Sequence, residues 1–531
     1  MDWQEIRDRK LAARDALLKD YFVEELPLPD ELNDVTKFVD TLFTDQENEI
    51  FQLTIPQLQQ KYLEKTLSVS TVVKKYCRRA TVGHQLVNFI TEVRFEQALQ
   101  EAVSQDEYLE THKKLIGPLH GVVVSLKDNI NIEGFASSMG FVGLADKIAT
   151  SDAAIVKLFK RLGAVIICKT NTSAGMMYSE TTNVLWGRTL NPFSRKYLNG
   201  GGSSGGEGAI GALRGSCFGI GSDIGGSVRH PAALNGIFSI KPSFGRVPTF
   251  GTESGQPGQE SIKSIYGVLS YYLENVQYVL QTIIDSKPYR DIDPGCLPLE
   301  YRPYRLEKQL KIAFLDSDGT STATAPLKNA LDTVRGLVEG EGHSTVDWTD
   351  KYLLELTQTI YPFFGANGYR TILDLVAKSK EPVDHLLSKW FPTAEDLPVS
   401  KLWELQKKRT GLVQKYMELW NEHGIDAIIM PASPFPACLK DKVVTLPCTA
   451  VWNGLDYTVA TLRVGTCDVS RDVPVKKSSY ISEVDRHVHE TYQKELVKFD
   501  GAAISLQVVC RRLEEEKALE ITQFLASLVS Y

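Results

Sequence analysis

From Gly117 onward, short runs of β-branched and aliphatic residues alternate with amphipathic stretches of helical period. Val122 to Val124, in G-P-L-H-G-V-V-V-S-L-K-D-N, reads as a buried strand delivering Lys127, Asp128 and Asn129 at its end. Residues 152–162 have helical spacing, with Asp152 as N-cap and Gly163 as stop, and A-V-I-I-C-K-T follows as a second buried strand. Strand, helix and strand within about fifty residues predict a βαβ unit. Residues 171–178 then form a loop at a strand's carboxyl end, where open α/β sheets bind ligands.

The alternation recurs downstream. C-F-G-I-G-S, F-S-I-K, residues 310–316, S-T-V-D-W, residues 425–432 and A-I-S-L-Q-V-V-C read as strands. Residues 266–284, 325–341, most of 351–424 and 514–528 read as helices, and 360–369 form an aromatic knot. Residues 1–80 have a different texture: 4–20, 55–61 and 72–77 are helical, the last leading into a long helix over 85–108. These segments are read as a helical collar on the core, since their mixed charges weaken the alternative of an interfacial membrane helix. The expectation is an α/β protein with a large mixed, mostly parallel central sheet covered by helices on both faces. A helical N-terminal region, 1–80, packs on a single α/β domain, 81–531.

At 531 residues the length alone allows about three domains, but no internal repeat or extended linker divides the chain. Lys and Arg number 59 against 66 Asp and Glu, a net charge of −7, which favours neither a nucleic-acid nor an anionic-membrane partner. Eight cysteines without a CxxC pair point to free thiols in a reducing compartment. The charged start lacks a signal-peptide core and no apolar run reaches spanning length, so a cytoplasmic protein is expected.

Candidate chemistry gathers in residues 199–231, N-G-G-G-S-S-G-G-E-G-A-I-G-A-L-R-G-S-C-F-G-I-G-S-D-I-G-G-S-V-R-H-P, twelve of which are glycine. Glycine permits positive φ and close approach, so main-chain amides here are aimed at a ligand. Three local patterns compete. Gly200-x-Gly202-x-x-Gly205 matches the dinucleotide fingerprint and Gly201-Gly-Ser-Ser-Gly205 the nucleophile elbow, but both need an apolar strand that N-P-F-S-R-K-Y-L-N does not supply. Ser227 does follow a strand, and the amides of Ile224, Gly225, Gly226 and Ser227 are placed to make an oxyanion hole. Ser204-x-x-Glu207 reads as a capping box starting a helix that runs to Gly215, leaving Ser203 free for chemistry.

G-G-S-S-G-G-E-G-A followed by G-S-D-I-G-G-S-V-R-x-P-A resembles the signature of the amidase signature family, and the lysine-bearing strand before Lys127 resembles its counterpart there. The likeness covers most of residues 85–528 and is most similar to fungal acetamidase-type amidases; Ser222 and Ser239 depart from the usual threonine and glycine. The resemblance implies Ser227 as nucleophile, Ser203 as the bridging serine of a cis peptide and Lys127 as base, with no cofactor. It also implies that Asp223 and Arg229 hold the loop. Met176 aligns with a pocket-lining position, a core methionine being the other reading. His120 and the His487/His489 pair are read as surface histidines rather than metal ligands. The implied activity is hydrolysis of small to medium aliphatic or aryl carboxamides by an acyl-enzyme route. A glutamine-hydrolysing amidotransferase subunit and a fatty-acid amide hydrolase stand as alternatives. Oligomeric state, a homodimer included, is open.

Overall fold

The computed structural model describes residues 2–307, 309–349, 351–389, 395–442 and 447–529. Thirteen strands are present among the described residues. In the first half they are β1 (Ile90–Val93), β2 (Val123–Lys127), β3 (Val165–Thr170), β4 (Leu190–Asn191), β5 (Ser194–Asn199), β6 (Phe218–Asp223), β7 (Phe238–Lys241) and β8 (Ile265–Ser270). In the second half they are β9 (Lys311–Phe314), β10 (Ser344–Asp347), β11 (Ala427–Pro431), β12 (Thr458–Thr466) and β13 (Ala503–Cys510). All but β4 and β5 form one sheet in the order β1-β3-β2-β6-β8-β7-β12-β13-β11-β9-β10.

The sheet is mixed, but its parallel part is confined to two blocks, β3-β2-β6 and β11-β9-β10. The other pairings are antiparallel, so the sheet is not mostly parallel. The cause is in the connections. Parallel neighbours need a crossover, usually a helix, as with helix Ala154–Leu162 between β2 and β3. β7 and β8 are joined by a loop without a helix and pair antiparallel.

Most central strands are buried on both faces, which explains their unbroken apolar runs: Val122, Val123, Val124, Ile166, Ile167, Ile220, Val508 and Val509 are all sealed from solvent. Helix Trp3–Leu18 starts at Asp2 with a complete capping box to Glu5. Helix Val69–Val87 lays Val69, Val72, Val73, Tyr76 and Cys77 into the main core.

Three expected elements differ, and one strand is additional. The helix over 85–108 is broken: Asn88 caps the first helix in the left-handed region, β-branched Ile90-Thr-Glu-Val93 pairs with β3, and a new helix runs Phe95–His112. Residues 265–270 are a central strand rather than the start of a helix, and the helix is Leu273–Asp285. Asp152 does not cap; its oxygens accept from the Glu133 amide and Lys160, and Ala153 occupies the N-cap. β12, the longest strand, was not anticipated. No helix among the described residues is long and apolar enough to cross a membrane.

Candidate active site

β2 and β6 run parallel in the register Leu126↔Ile220, so both carboxyl ends open on one side of the sheet. Lys127 is the last residue of β2 and Asp223 the last of β6. Between them in space lies the glycine-rich turn before helix Gly205–Ala212, which carries Ser203. Lys127 Nζ is 2.6 Å from Ser203 Oγ, 2.9 Å from Ser222 Oγ and 3.5 Å from the Ser222 carbonyl oxygen. These neighbours are hydroxyls and a carbonyl, and Lys127 has no solvent exposure. Burial therefore brings its pKa down from 10.5 to about 7, against the opposing pull of Asp223, Glu207 and Asp128.

The Gly202–Ser203 peptide bond is cis. Ser203 is buried, whereas Ser227 is partly exposed in the wall of the same cavity. The Ser204 amide donates to the Ser227 carbonyl at 3.1 Å and ties the two serine-bearing turns together.

Ser227 sits on a turn held by Asp223. The amides on either side of it, Gly226 and Val228, donate to Asp223 Oδ1 and Oδ2 at 2.8 and 3.0 Å. Arg229 donates to both oxygens at 3.1 and 2.9 Å, and to the Thr449 carbonyl and Asn453 Oδ1 at 2.9 and 2.6 Å. Burial raises the Asp223 pKa, but Arg229, with help from Asn453 and Lys241, more than offsets this and holds the carboxyl far below its usual range. Gly226 has φ +123°, and a Cβ there would collide with Thr449, so glycine is required.

Replacing Arg229 by methionine strands a buried carboxylate. Arg229→Met is expected to lose about 3–5 kcal/mol in urea unfolding at neutral pH. A loss below 1 kcal/mol would show that the pair does not hold the turn.

Two features depart from expectation. The Ser204–Glu207 capping box is absent: Ser204 makes no side-chain cap bond, and its hydroxyl donates to the Ser222 carbonyl at 3.4 Å. Glu207 instead turns inward and accepts from Thr170 Oγ1 and Ser125 Oγ at 2.6 and 2.7 Å, where burial raises its pKa to about 7. Gly219 leaves the space its carboxylate fills. The second departure is β5, a strand that does precede Gly200, although it belongs to a two-stranded hairpin outside the main sheet. It does not restore either rejected pattern, because both require a strand of the central sheet.

Ser222 was visible in the sequence only as a departure from threonine; its contact with Lys127 follows from the β2–β6 register. Ser239 likewise bonds within the sheet, to Thr461 Oγ1 across β7 and β12. Ile224, Gly225 and Met176 line the cavity with Ser203 and Ser227, and Ser222 Oγ lies 3.9 Å from Met176 Sδ. Gly226 does not offer its amide to the cavity, since Asp223 takes it. His120 is buried rather than at the surface, with Nδ1 accepting from the Ile116 amide; His487 is exposed, and His489 bonds Thr322 Oγ1. Among the described residues no group of three or more His, Cys, Asp or Glu side chains is arranged to hold a metal ion.

The cavity measures about 1120 Å³. One wall is apolar: Met139, Met176, Tyr369 and Leu375 pack in one cluster, and Tyr361 and Phe364 from the aromatic knot in another. Ala450 also lines it. The lining also includes the polar residues Asn129, Asn131, Thr249 and Glu253.

A family model described as Amidase matches residues 71–519. The chain is 30% identical to an acetamidase of Aspergillus oryzae, covering 100% of this chain and 99% of that protein. It is 33% identical to amidase 1 of Gibberella moniliformis, over 86% of this chain and 90% of that one. Among solved structures, a fatty acid amide hydrolase superposes with a TM-score of 0.94 at 27% identity, covering 100% of this chain and 95% of that one.

Proposed function

Since the chain belongs to the amidase family of amide-hydrolysing enzymes, we propose that Ser227 is its nucleophile, Ser203 its proton relay and Lys127 its base. The observation that carries this reading is a lysine without solvent contact, 2.6 Å from Ser203, behind a cavity that Ser227 shares. A lysine with a pKa near 7 is neutral in a large fraction of molecules at neutral pH, and a neutral amine accepts a proton. Ser227 Oγ attacks the amide carbonyl while its proton passes to Ser203 and the Ser203 proton to Lys127. The oxyanion is met by the amides of Ile224, Gly225 and Ser227; Gly226 serves by anchoring the turn to Asp223. The proton returns from Lys127 through Ser203 to the leaving nitrogen, the C–N bond breaks, and an acyl-enzyme remains on Ser227. Water, activated by the same pair, then releases the carboxylate.

The cavity supports a choice of substrate class. Its 1120 Å³ and aromatic wall suit an acyl group well beyond acetyl, either aryl or a longer aliphatic chain. The likeness to a fatty acid amide hydrolase supports the aliphatic end of that range. Ammonia release is measured for acetamide, hexanamide, decanamide, benzamide and indole-3-acetamide. Each buried methylene contributes about 0.8 kcal/mol, so kcat/KM is expected to rise about 10²-fold from acetamide to hexanamide. A preference for acetamide would overturn the substrate assignment, and no turnover of any amide would overturn the reaction. Glutamine turnover that needs a partner subunit would favour the amidotransferase-subunit reading instead.

A further inference from the structure

Glu207 has no part in the reaction described above, yet it is a carboxylate 1% exposed in the layer that holds the base. Ser125 and Lys127, two residues apart on β2, point to the same face of the sheet, and Thr170 stands opposite Lys127 in the parallel register of β3. Ser125 Oγ and Thr170 Oγ1 both donate to Glu207, at 2.7 and 2.6 Å. The carboxylate therefore lies on the Lys127 face, held by the two residues that flank the lysine there. β6 is built to admit it. A Cβ at Gly219 would collide with Glu207 Oε2 and one at Gly221 would come within 2.8 Å of Ser204 Oγ, so the two glycines let the start of helix Gly205–Ala212 settle against the strand. An apolar side chain would fill that space at lower cost than a charge.

The other ionisable groups around Lys127 are already engaged. Asp223 is balanced by Arg229, which donates to both its oxygens. Asp128 accepts from Thr91 Oγ1, Ser138 Oγ and the Met139 amide, and its charge also acts on buried Lys169. Cys168 of β3 stays a neutral thiol, since burial pushes its pKa well up. The groups that hold the Glu207 oxygens are hydroxyls rather than cations, which leaves its charge to act on Lys127. In the reaction proposed above, on which this inference rests, Lys127 becomes a cation away from solvent each time it takes the Ser203 proton, and desolvation opposes that step. We propose that Glu207 is a positioning residue for the base, a buried counter-charge that stabilises the lysinium while the proton is held. Burial raises its own pKa only to about 7, so Glu207 is ionised over the range in which Lys127 works.

The test follows the rate of Ser227 phosphonylation by a fluorophosphonate against pH, with the full chain. Ser227 Oγ bonds to phosphorus, the P–F bond breaks and fluoride leaves without needing a proton, so the rate reports the base alone. Glu207→Gln keeps the size and can still bond both hydroxyls, but it has no charge. The midpoint of the acid limb, expected near 7 in the wild type, should move down by about one pH unit. The plateau above about pH 8 should fall about three- to tenfold, because a weaker base accepts the proton less well. Glu207→Asp, which keeps the charge, should leave the midpoint closer to that of the wild type. Thr170→Val removes one donor and so favours the neutral carboxyl; it should shift the midpoint in the same direction as Glu207→Gln, and it decides the point if Glu207 variants do not fold. A Glu207→Gln protein with a lowered unfolding midpoint but an unmoved acid limb would overturn the counter-charge and leave a purely structural carboxyl. The base reading stands in that case, provided that Lys127→Met abolishes the limb. A wild type without such a limb would remove the base reading and this inference with it.

Discussion

Ser227→Ala is expected to lower kcat for hexanamide by at least about 10⁴-fold, the scale on which serine hydrolases lose turnover when the attacking oxygen is removed. The fold should not notice. Ser227 is partly exposed, its turn is held through the Gly226 and Val228 amides rather than its own side chain, and alanine deletes a single oxygen. Unfolding midpoints of variant and wild type should agree within the ±0.5 kcal/mol typical of benign substitutions. A serine-reactive fluorophosphonate should label the wild type and not the variant. Turnover within tenfold of wild type, or labelling that survives, would place the nucleophile elsewhere.

The second large effect is on Lys127. Removing a general base costs about 10²–10⁴-fold, and Lys127→Met should fall at the upper end because Lys127 Nζ is the basic group that contacts Ser203 Oγ directly. The pH profile makes the test specific. The proposed mechanism needs the neutral lysine, so wild-type kcat/KM should fall about tenfold per pH unit below about 7 and level off above it. The residual activity of Lys127→Met should lack that inflection. A wild-type profile flat from pH 5 to 8 would mean that Lys127 is not the base.

How much of this was legible in the residues depended on how local the signal is. Lys127 ends β2 and Ser227 lies on the turn just beyond β6, and a strand buried on both faces announces itself by composition alone. Ser203 was reachable through its glycine frame and the family resemblance. By contrast, β8 contains an Ile-Tyr-Gly-Val-Leu-Ser run that periodicity cannot separate from the helix following it, and the sheet neighbours β6 and β7 decide its state. Glu207 shows the same limit. At three residues from Ser204 it fits a capping box, but Ser125 and Thr170, distant in sequence, offer it two hydroxyls. Ser222 became meaningful only when β2 and β6 came together.

The burial of Lys127 also links the fold to the proton. The unfolded chain would hold that proton up to its ordinary pKa of 10.5, whereas the folded chain releases it near 7. Below pH 7 both states are charged and folding carries the whole desolvation cost, of order 4 kcal/mol. From about 7 to 10.5 the unfolded state binds more protons, so this contribution to stability improves as pH rises. Buried Lys169 and Lys241, both brought down to about 8 by desolvation, act with the same sign. On the proposed mechanism, folding and turnover therefore draw on one microstate, the uncharged lysine. Mild acid withdraws the reactive form and this share of the stability together, whereas mild alkali favours both.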